Sequence, residues 1–114
     1  MQKLSIRSRA RSEIIDITED VQRALEEEKS GASACMVFVP HTTAAVTINE
    51  NADPSVRADI LAELNKVIPY EDGYTHGEGN SAAHIKSSLV GASLSVPVEK
   101  GRLCLGTWQH VDSY

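Results

Sequence analysis

Three histidines, His41, His76 and His84, are the side chains of this sequence best suited to hold a metal ion. A catalytic zinc or similar divalent ion commonly takes three protein ligands and keeps one coordination position open. The spacing of these histidines matches no compact signature such as H-E-x-x-H, and a single histidine is more often a hydrogen-bonding residue than a ligand. We therefore expect a site for a divalent metal, zinc or magnesium, if the fold brings the three rings together.

A second polar group precedes a predicted helix and contains Asn49, Glu50 and Asp53. Asp53 followed by Pro54 has the form of a helix cap with proline at the first helical position, and asparagine favours turns. Neither capping nor turn formation calls for Glu50. We predict Glu50 as the acid or base of a catalytic site, with Asn49 and Asp53 beside it.

A third group of polar residues could contact an anion. The glycine-rich segment 77–81 leads into a predicted helix, whose first N–H groups could face a phosphate. Alternatively, its glycines only permit the tight turns of a loop, and the order G-x-x-x-x-G-K-[ST] of a P-loop is absent. The candidate contacts to a phosphorylated small molecule or another anion are Thr42, Thr43, Asn80, Lys86, Ser87 and Gln109.

The elements that must position these groups begin with strands. Short alternation predicts strands over Lys3–Ser8 and Glu13–Ile17, followed by a helix over residues 18–29 with Thr18 as its cap. Two more strands, Ala34–Val39 and residues 44–49, are joined through Pro40–Thr43.

The second half of the chain is predicted to contain two helices and a hairpin. The first helix runs from Pro54 to about Lys66, a long loop follows over Pro69–Asn80, and the second helix ends near Leu89. Strands over Ser93–Val98 and Arg102–Trp108 form the hairpin. We predict an α+β fold with mostly antiparallel sheets and two or three helices packed against them.

Composition limits the classes of protein to consider. The 114 residues fit a single domain over the whole chain, and 11 basic against 16 acidic residues give no basic field for nucleic acid. No apolar run reaches the roughly 20 residues of a membrane helix, and no signal peptide is visible. Cys35 and Cys104 each lie in an apolar run and are predicted to be core residues, as is Trp108. We expect a cytoplasmic protein without nucleic-acid or membrane partners.

Several blocks of the chain together resemble the signature of the YjbQ family, also called the secondary thiamine-phosphate synthase family. The blocks are His41-Thr42-Thr43-Ala44, Asn49 to Pro54, Gly79 to Ser88 and Gly106-Thr107-Trp108-Gln109, in the order and spacing of the family. The resemblance implies an α+β fold, a homotrimer, convergence of His41, His76 and His84 on a metal, and a thiamine-phosphate synthase activity that joins a pyrimidine pyrophosphate to a thiazole phosphate.

The resemblance has one departure, after Gln109. The family pattern continues with glycine, an apolar strand and a basic tail, whereas His110 to Tyr114 follow here. We expect the last strand of the family to be absent from this sequence, which would leave an unpaired strand edge and weaken assembly.

Two hypotheses for the function remain open. The first is a metal-dependent enzyme that acts on phosphorylated small molecules, with thiamine-phosphate formation as the specific candidate. The second is a non-catalytic module that binds a metal or anion for structure or regulation. Metal-dependent stability without turnover would distinguish the second from the first.

Overall fold

Two three-stranded antiparallel sheets form the frame of the chain in a computed structural model that describes residues 1–10 and 12–114. Three helices accompany the sheets in this part of the chain: α1 (Thr18–Glu28), α2 (Pro54–Val67) and α3 (Ser81–Val90). The strands are β1 (Ile15–Asp16), β2 (Ala34–Phe38), β3 (Val46–Glu50), β4 (Ser93–Glu99), β5 (Arg102–Leu103) and β6 (Gln109–Ser113). The predicted α+β class with antiparallel sheets is confirmed.

The strand order separates β2 from β3, although they follow each other in the chain. The first sheet has the order β1-β6-β3 and the second has the order β2-β4-β5. Ile48 pairs with Val111 in the first sheet, and Met36 pairs with Ser95 in the second. The connection over residues 39–45 therefore carries the chain from one sheet to the other.

The core lies between α1 and the inner faces of the two sheets. Ile17, Val21, Val46 and Val111 are buried there, and Cys35 packs against them. Alternate residues of β2 and β4 point inward because successive strand residues face opposite sides of a sheet. The outer positions of β2 consequently expose Met36 and Phe38.

The helix starts agree closely with the sequence patterns, but one cap differs. Asp53 caps α2 as predicted, because its carboxylate accepts from the Ser55 backbone N–H at 2.9 Å. Thr18 is not the cap of α1 but its first helical residue. Asp16 serves the helix start instead, since its Oδ1 accepts from the Thr18 backbone N–H at 2.9 Å.

Four other expectations are wrong. Lys3–Ser8 forms no strand and is exposed, because no described strand lies beside it to complete a ladder. The predicted strand Arg102–Trp108 shortens to β5, and β6 follows where no strand was predicted. Cys104 is exposed rather than in the core, and Trp108 is 63% exposed.

None of the helices in the described ranges is both long enough and apolar enough to span a membrane.

Candidate functional site

A cleft of 480 Å³ lies between the N-terminal segment, α2, α3 and one end of β6, and we call it the Lys86 cleft. Its polar lining includes Ser12, Thr43, Asn80 and Lys86, and its apolar lining includes Ile6, Ile15, Leu61 and Leu64. A cleft of this size, whose wall combines apolar and polar side chains, suits a small ligand.

Lys86 is the lysine that enters this cleft. Its Nζ donates to Asn65 Oδ1 and lies 3.5 Å from Ser12 Oγ, so both of its partners are neutral. Burial lowers the pKa of the Lys86 ammonium. No carboxylate within 4.0 Å of Lys86 is found among the described residues.

Four of the six predicted ligand contacts lie together in the Lys86 cleft: Thr43, Asn80, Lys86 and Ser87. Asn80 Oδ1 is buried and has no hydrogen-bond partner in the described chain, and Asn80 does not cap α3 through its side chain. Such an orphaned acceptor marks a position where a ligand could supply the missing donor.

The Ser87 hydroxyl has a structural role. It is 8% exposed and donates to the Ala44 carbonyl at 2.7 Å, which ties α3 to the chain entering β3. This bond occupies the only proton of the hydroxyl. Ser87 therefore shapes the wall of the cleft and cannot donate to a ligand without losing that tie.

Thr42 and Gln109 lie outside the lining of the cleft. Gln109 closes a tight turn: its N–H donates to the Gly106 carbonyl at 3.0 Å and its Oε1 accepts from the Gly106 N–H at 2.8 Å. A Cβ on residue 106 would approach that oxygen to 3.2 Å. Gly106 and Gln109, the first and last residues of the Gly-Thr-Trp-Gln block, thus have a structural role in this turn.

The histidines come together only in part. The rings of His76 and His84 lie edge to face with centroids 5.3 Å apart, so the long loop does fold back onto α3. His41 is exposed, and no cluster of three or more His, Cys, Asp or Glu residues that could hold a metal occurs in residues 1–10 and 12–114. The three histidines of one chain do not by themselves fit a three-ligand metal site.

The acidic candidates lie at the opposite end of β3 from the Lys86 cleft. Ala45, just before β3, lines the cleft, whereas Glu50 ends the strand and pairs in register with Gln109. Five strand residues span roughly 16 Å, so Glu50 and Lys86 do not face one small ligand in a single chain. Asp53 has its Oδ1 bonded to the Ser55 backbone and hydroxyl, and these bonds lower the pKa of Asp53.

A partly buried polar cluster that no sequence pattern indicated lies at the first sheet: Asp16, Asn51, His110 and Asp112. The Asp16 carboxylate accepts from Thr18 Oγ1 at 2.6 Å and from Asn51 Nδ2 at 2.7 Å. His110 Nδ1 lies 3.0 Å from Asp16 Oδ2 without the alignment of a hydrogen bond. Burial alone would raise the pKa of Asp16, but the bonds from Thr18 and Asn51 lower it overall.

Asp112 is the least solvated member of this cluster. It is 2% exposed, and its Oδ1 has no hydrogen-bond partner within the described ranges. Burial and the neighbouring Asp16 raise the pKa of Asp112 to about 6. No sequence motif joins these residues, which are spread from position 16 to position 112; the pairing of β6 with both β1 and β3 brings them together.

Comparison with known proteins gives consistent matches over nearly the whole chain. A family model described as UPF0047 protein YjbQ-like matches residues 2–113. UPF0047 protein YugU of Bacillus subtilis is 50% identical over 112 residues, which are 97% of this chain and 85% of that protein. UPF0047 protein MJ1081 of Methanocaldococcus jannaschii is 49% identical over 96% of this chain and 79% of its own length.

Solved structures agree in fold. An uncharacterised conserved protein of the YjbQ/UPF0047 family from Clostridium acetobutylicum is 51% identical, with a TM-score of 0.85 over 89% of this chain and 78% of its own. A hypothetical protein from Aeropyrum pernix is 33% identical, with a TM-score of 0.88 over 95% of this chain and 81% of its own.

Proposed function

This chain belongs to the UPF0047 protein YjbQ-like family, and from the contents of the Lys86 cleft we propose that it is an enzyme that binds a phosphorylated small molecule there. The observation that carries the proposal is a half-buried lysine in the cleft with no acidic partner among the described residues. No carboxylate of residues 1–10 and 12–114 forms an ion pair with this ammonium, so a ligand anion would gain an interaction that no described residue supplies.

The N-terminus of α3 supports an anion at the same wall. Asn80 and Ser81 begin this ten-residue helix, whose first N–H groups carry partial positive charge. Thr43 adds a hydroxyl from the segment before β3. The apolar side of the cleft, with Leu61 and Leu64, would accept the non-phosphate part of the ligand.

Thiamine-phosphate formation is the specific reaction that kinship suggests. In that reaction the thiazole nitrogen attacks the methylene carbon of the pyrimidine pyrophosphate, a C–N bond forms, and the C–O bond to pyrophosphate breaks. No protein nucleophile is needed, so the residues contribute by orienting the two substrates and stabilising the departing anion. Lys86 and the side-chain amide N–H of Asn80 would bind a phosphate, while Glu50, which lies at the other end of β3, would have to act as acid or base from another copy of the chain.

The same proposal includes a divalent metal, but its ligands are not the three histidines of a single chain. Two imidazoles, His76 and His84, are close enough to share one ion, and no further His, Cys, Asp or Glu of the described residues completes a group of three with them. His41 of another copy, in the homotrimer that kinship suggests, is the proposed third ligand. The phosphate contacts above do not depend on this ion.

A cytoplasmic location is proposed with this activity. Cys35 and Cys104 are both free thiols, a state typical of a reducing compartment.

The test compares Lys86→Gln with Lys66→Gln, since Lys66 is an exposed lysine of α2. Titration calorimetry should show at least about a tenfold loss of affinity for pyrophosphate in Lys86→Gln, and a coupled assay should show a similar loss of thiamine-phosphate formation. Lys66→Gln should keep both at the wild-type level. Equal binding and turnover in wild type and both variants would refute the site.

The alternative function is a non-catalytic module, and the His76–His84 pair is the observation that favours it. It predicts a melting temperature that rises with Zn²⁺ and falls with chelator, without turnover of any phosphorylated substrate. His84→Ala should abolish the metal response. A response that persists in His84→Ala would remove this assignment.

A further inference from the structure

Lys86 is held by two neutral side chains from different parts of the chain. Its Nζ donates to Asn65 Oδ1 of α2 and lies 3.5 Å from Ser12 Oγ of the N-terminal segment. An ammonium group has no acceptor, so the oxygen of the Asn65 amide must face it and the amide NH₂ group must point away. Because Lys86 lies on α3, this hydrogen bond joins two helices.

Asn65 contacts Lys86 from outside the cleft. Lys86 and Ser12 belong to the lining of the Lys86 cleft, whereas Asn65 is an exposed residue that does not. The acid in the lining is Glu13, whose Oε2 accepts from the Arg9 backbone N–H at 2.7 Å. Asn65 is therefore placed to influence a ligand through Lys86 rather than by touching it.

The charge of Lys86 is left available by these contacts. An ammonium group has three N–H donors, and Asn65 and Ser12 take two of them. One N–H and the positive charge are left without a partner in residues 1–10 and 12–114. A carboxylate at position 65 would form an ion pair with the ammonium and offset the charge that attracts a ligand anion.

We propose that Asn65 is a positioning residue that determines the anion specificity of the Lys86 cleft. Its neutral amide orients the Lys86 ammonium and leaves the charge and the third N–H for the phosphate of the ligand. The inference rests on the proposed function, because it requires that Lys86 binds an anion. It adds a residue outside the cleft and a reason why that residue is an amide and not an acid.

Titration calorimetry with pyrophosphate tests the proposal on the full chain. Asn65→Asp keeps the shape of the side chain and adds the negative charge, so we expect at least about a tenfold loss of affinity. Asn65→Ala leaves Lys86 charged but less well oriented and should lose only about threefold. Lys66→Gln changes the net charge by the same amount at the next residue of α2 and should bind like wild type.

Thermal unfolding without ligand separates this role from damage to the fold. Asn65→Asp should raise the melting temperature by about 1–4 °C because it forms a new ion pair with Lys86. The rise should be absent when Lys86→Gln is also present. A melting temperature that falls together with the affinity would overturn the inference, since a destabilised fold would then explain the loss.

Two further outcomes would also overturn the inference. If Asn65→Asp binds pyrophosphate as tightly as wild type while Lys86→Gln does not, the phosphate site stands and the role of Asn65 is wrong. If Asn65→Ala loses as much affinity as Asn65→Asp, the missing side chain and not the added charge is the cause. Wild-type binding in Lys86→Gln itself would instead show that the proposed function has failed, and the inference would fail with it.

Discussion

Asp16 of β1 and Asp112 of β6 are directly paired in the first sheet. Two carboxyl groups are therefore neighbours on adjacent strands. Like charges in such a pair destabilise a sheet, and Asp112 is almost completely removed from water. The neighbours that could offset a second negative charge are His110 on the same strand and Arg57 on α2. The pair therefore couples the stability of this sheet to pH.

The first prediction concerns the pH dependence that Asp112 imposes. Its pKa in the folded chain, about 6, lies above its usual value of 3.8, so the folded state binds more protons than the unfolded state between these limits. This contribution to stability is present at low pH and is lost as pH rises through about 6. Asp112→Asn should therefore raise the free energy of unfolding at pH 7 by up to about 3 kcal/mol, and the melting temperature by several degrees.

Urea unfolding at pH 4 and pH 7 measures this effect. Asp59→Asn, a change at an exposed position on α2, is the control and should leave the pH dependence as in wild type. An equal effect of Asp112→Asn at both pH values would contradict the prediction.

The second prediction concerns Asp16, which organises the polar cluster. Asp16→Asn removes the charge that raises the pKa of Asp112, so the Asp112 carboxyl should titrate at lower pH. The variant should also be destabilised by about 1–3 kcal/mol at pH 7, since Thr18 and Asn51 lose a charged acceptor. Carbon-detected NMR titration of the Asp112 carboxyl checks the first effect, and a titration unchanged from wild type would disprove the coupling.

Structural features that depend on residues close together in the chain can be predicted from this sequence, whereas features that depend on distant residues cannot. The three helices are predicted because capping residues such as Asp53 and apolar repeats along one face act within a few residues. β6 was missed because only Val111 of its five residues is apolar, so no alternation signals a strand. Its extended conformation comes from pairing with β1 and β3, which are distant in sequence.

The same distinction applies to the candidate site. Thr43, Asn80 and Lys86 were predicted as ligand contacts from residue type and do share one cleft. Convergence of His41 with His76 was implied by the family resemblance. The spacing of the histidines in the sequence could not test it. The cluster around Asp112 carries no motif, since the four side chains meet only after the strands pair.

The third prediction concerns the two thiols. Cys104 is exposed, whereas Cys35 is half-buried against the core, and burial raises the pKa of the Cys35 thiol. Ellman's reagent should therefore label one thiol rapidly and the other only on the timescale of local opening. Cys104→Ser should remove the fast phase and keep the slow one. Two equal fast phases in the wild-type protein would be inconsistent with this packing.

The fourth prediction separates structure from ligand binding at Ser87. Ser87→Ala removes the donor to the partly buried carbonyl of Ala44, so the chain should lose about 1–2 kcal/mol of stability. Ser88→Ala is the matched control, since that exposed hydroxyl bonds only to the His84 carbonyl in its own helix, and its loss should cost less than about 0.5 kcal/mol.

Because the single proton of the Ser87 hydroxyl is held by Ala44, Ser87→Ala should leave the affinity for pyrophosphate within about twofold of wild type at a temperature where both are folded. Chemical denaturation and titration calorimetry on the same preparations give the two numbers. A large loss of affinity with unchanged stability would mean that Ser87 contacts the ligand directly and that its bond to Ala44 breaks on binding. The wall of the Lys86 cleft would then rearrange around the ligand, and the position of α3 against β3 would be part of recognition.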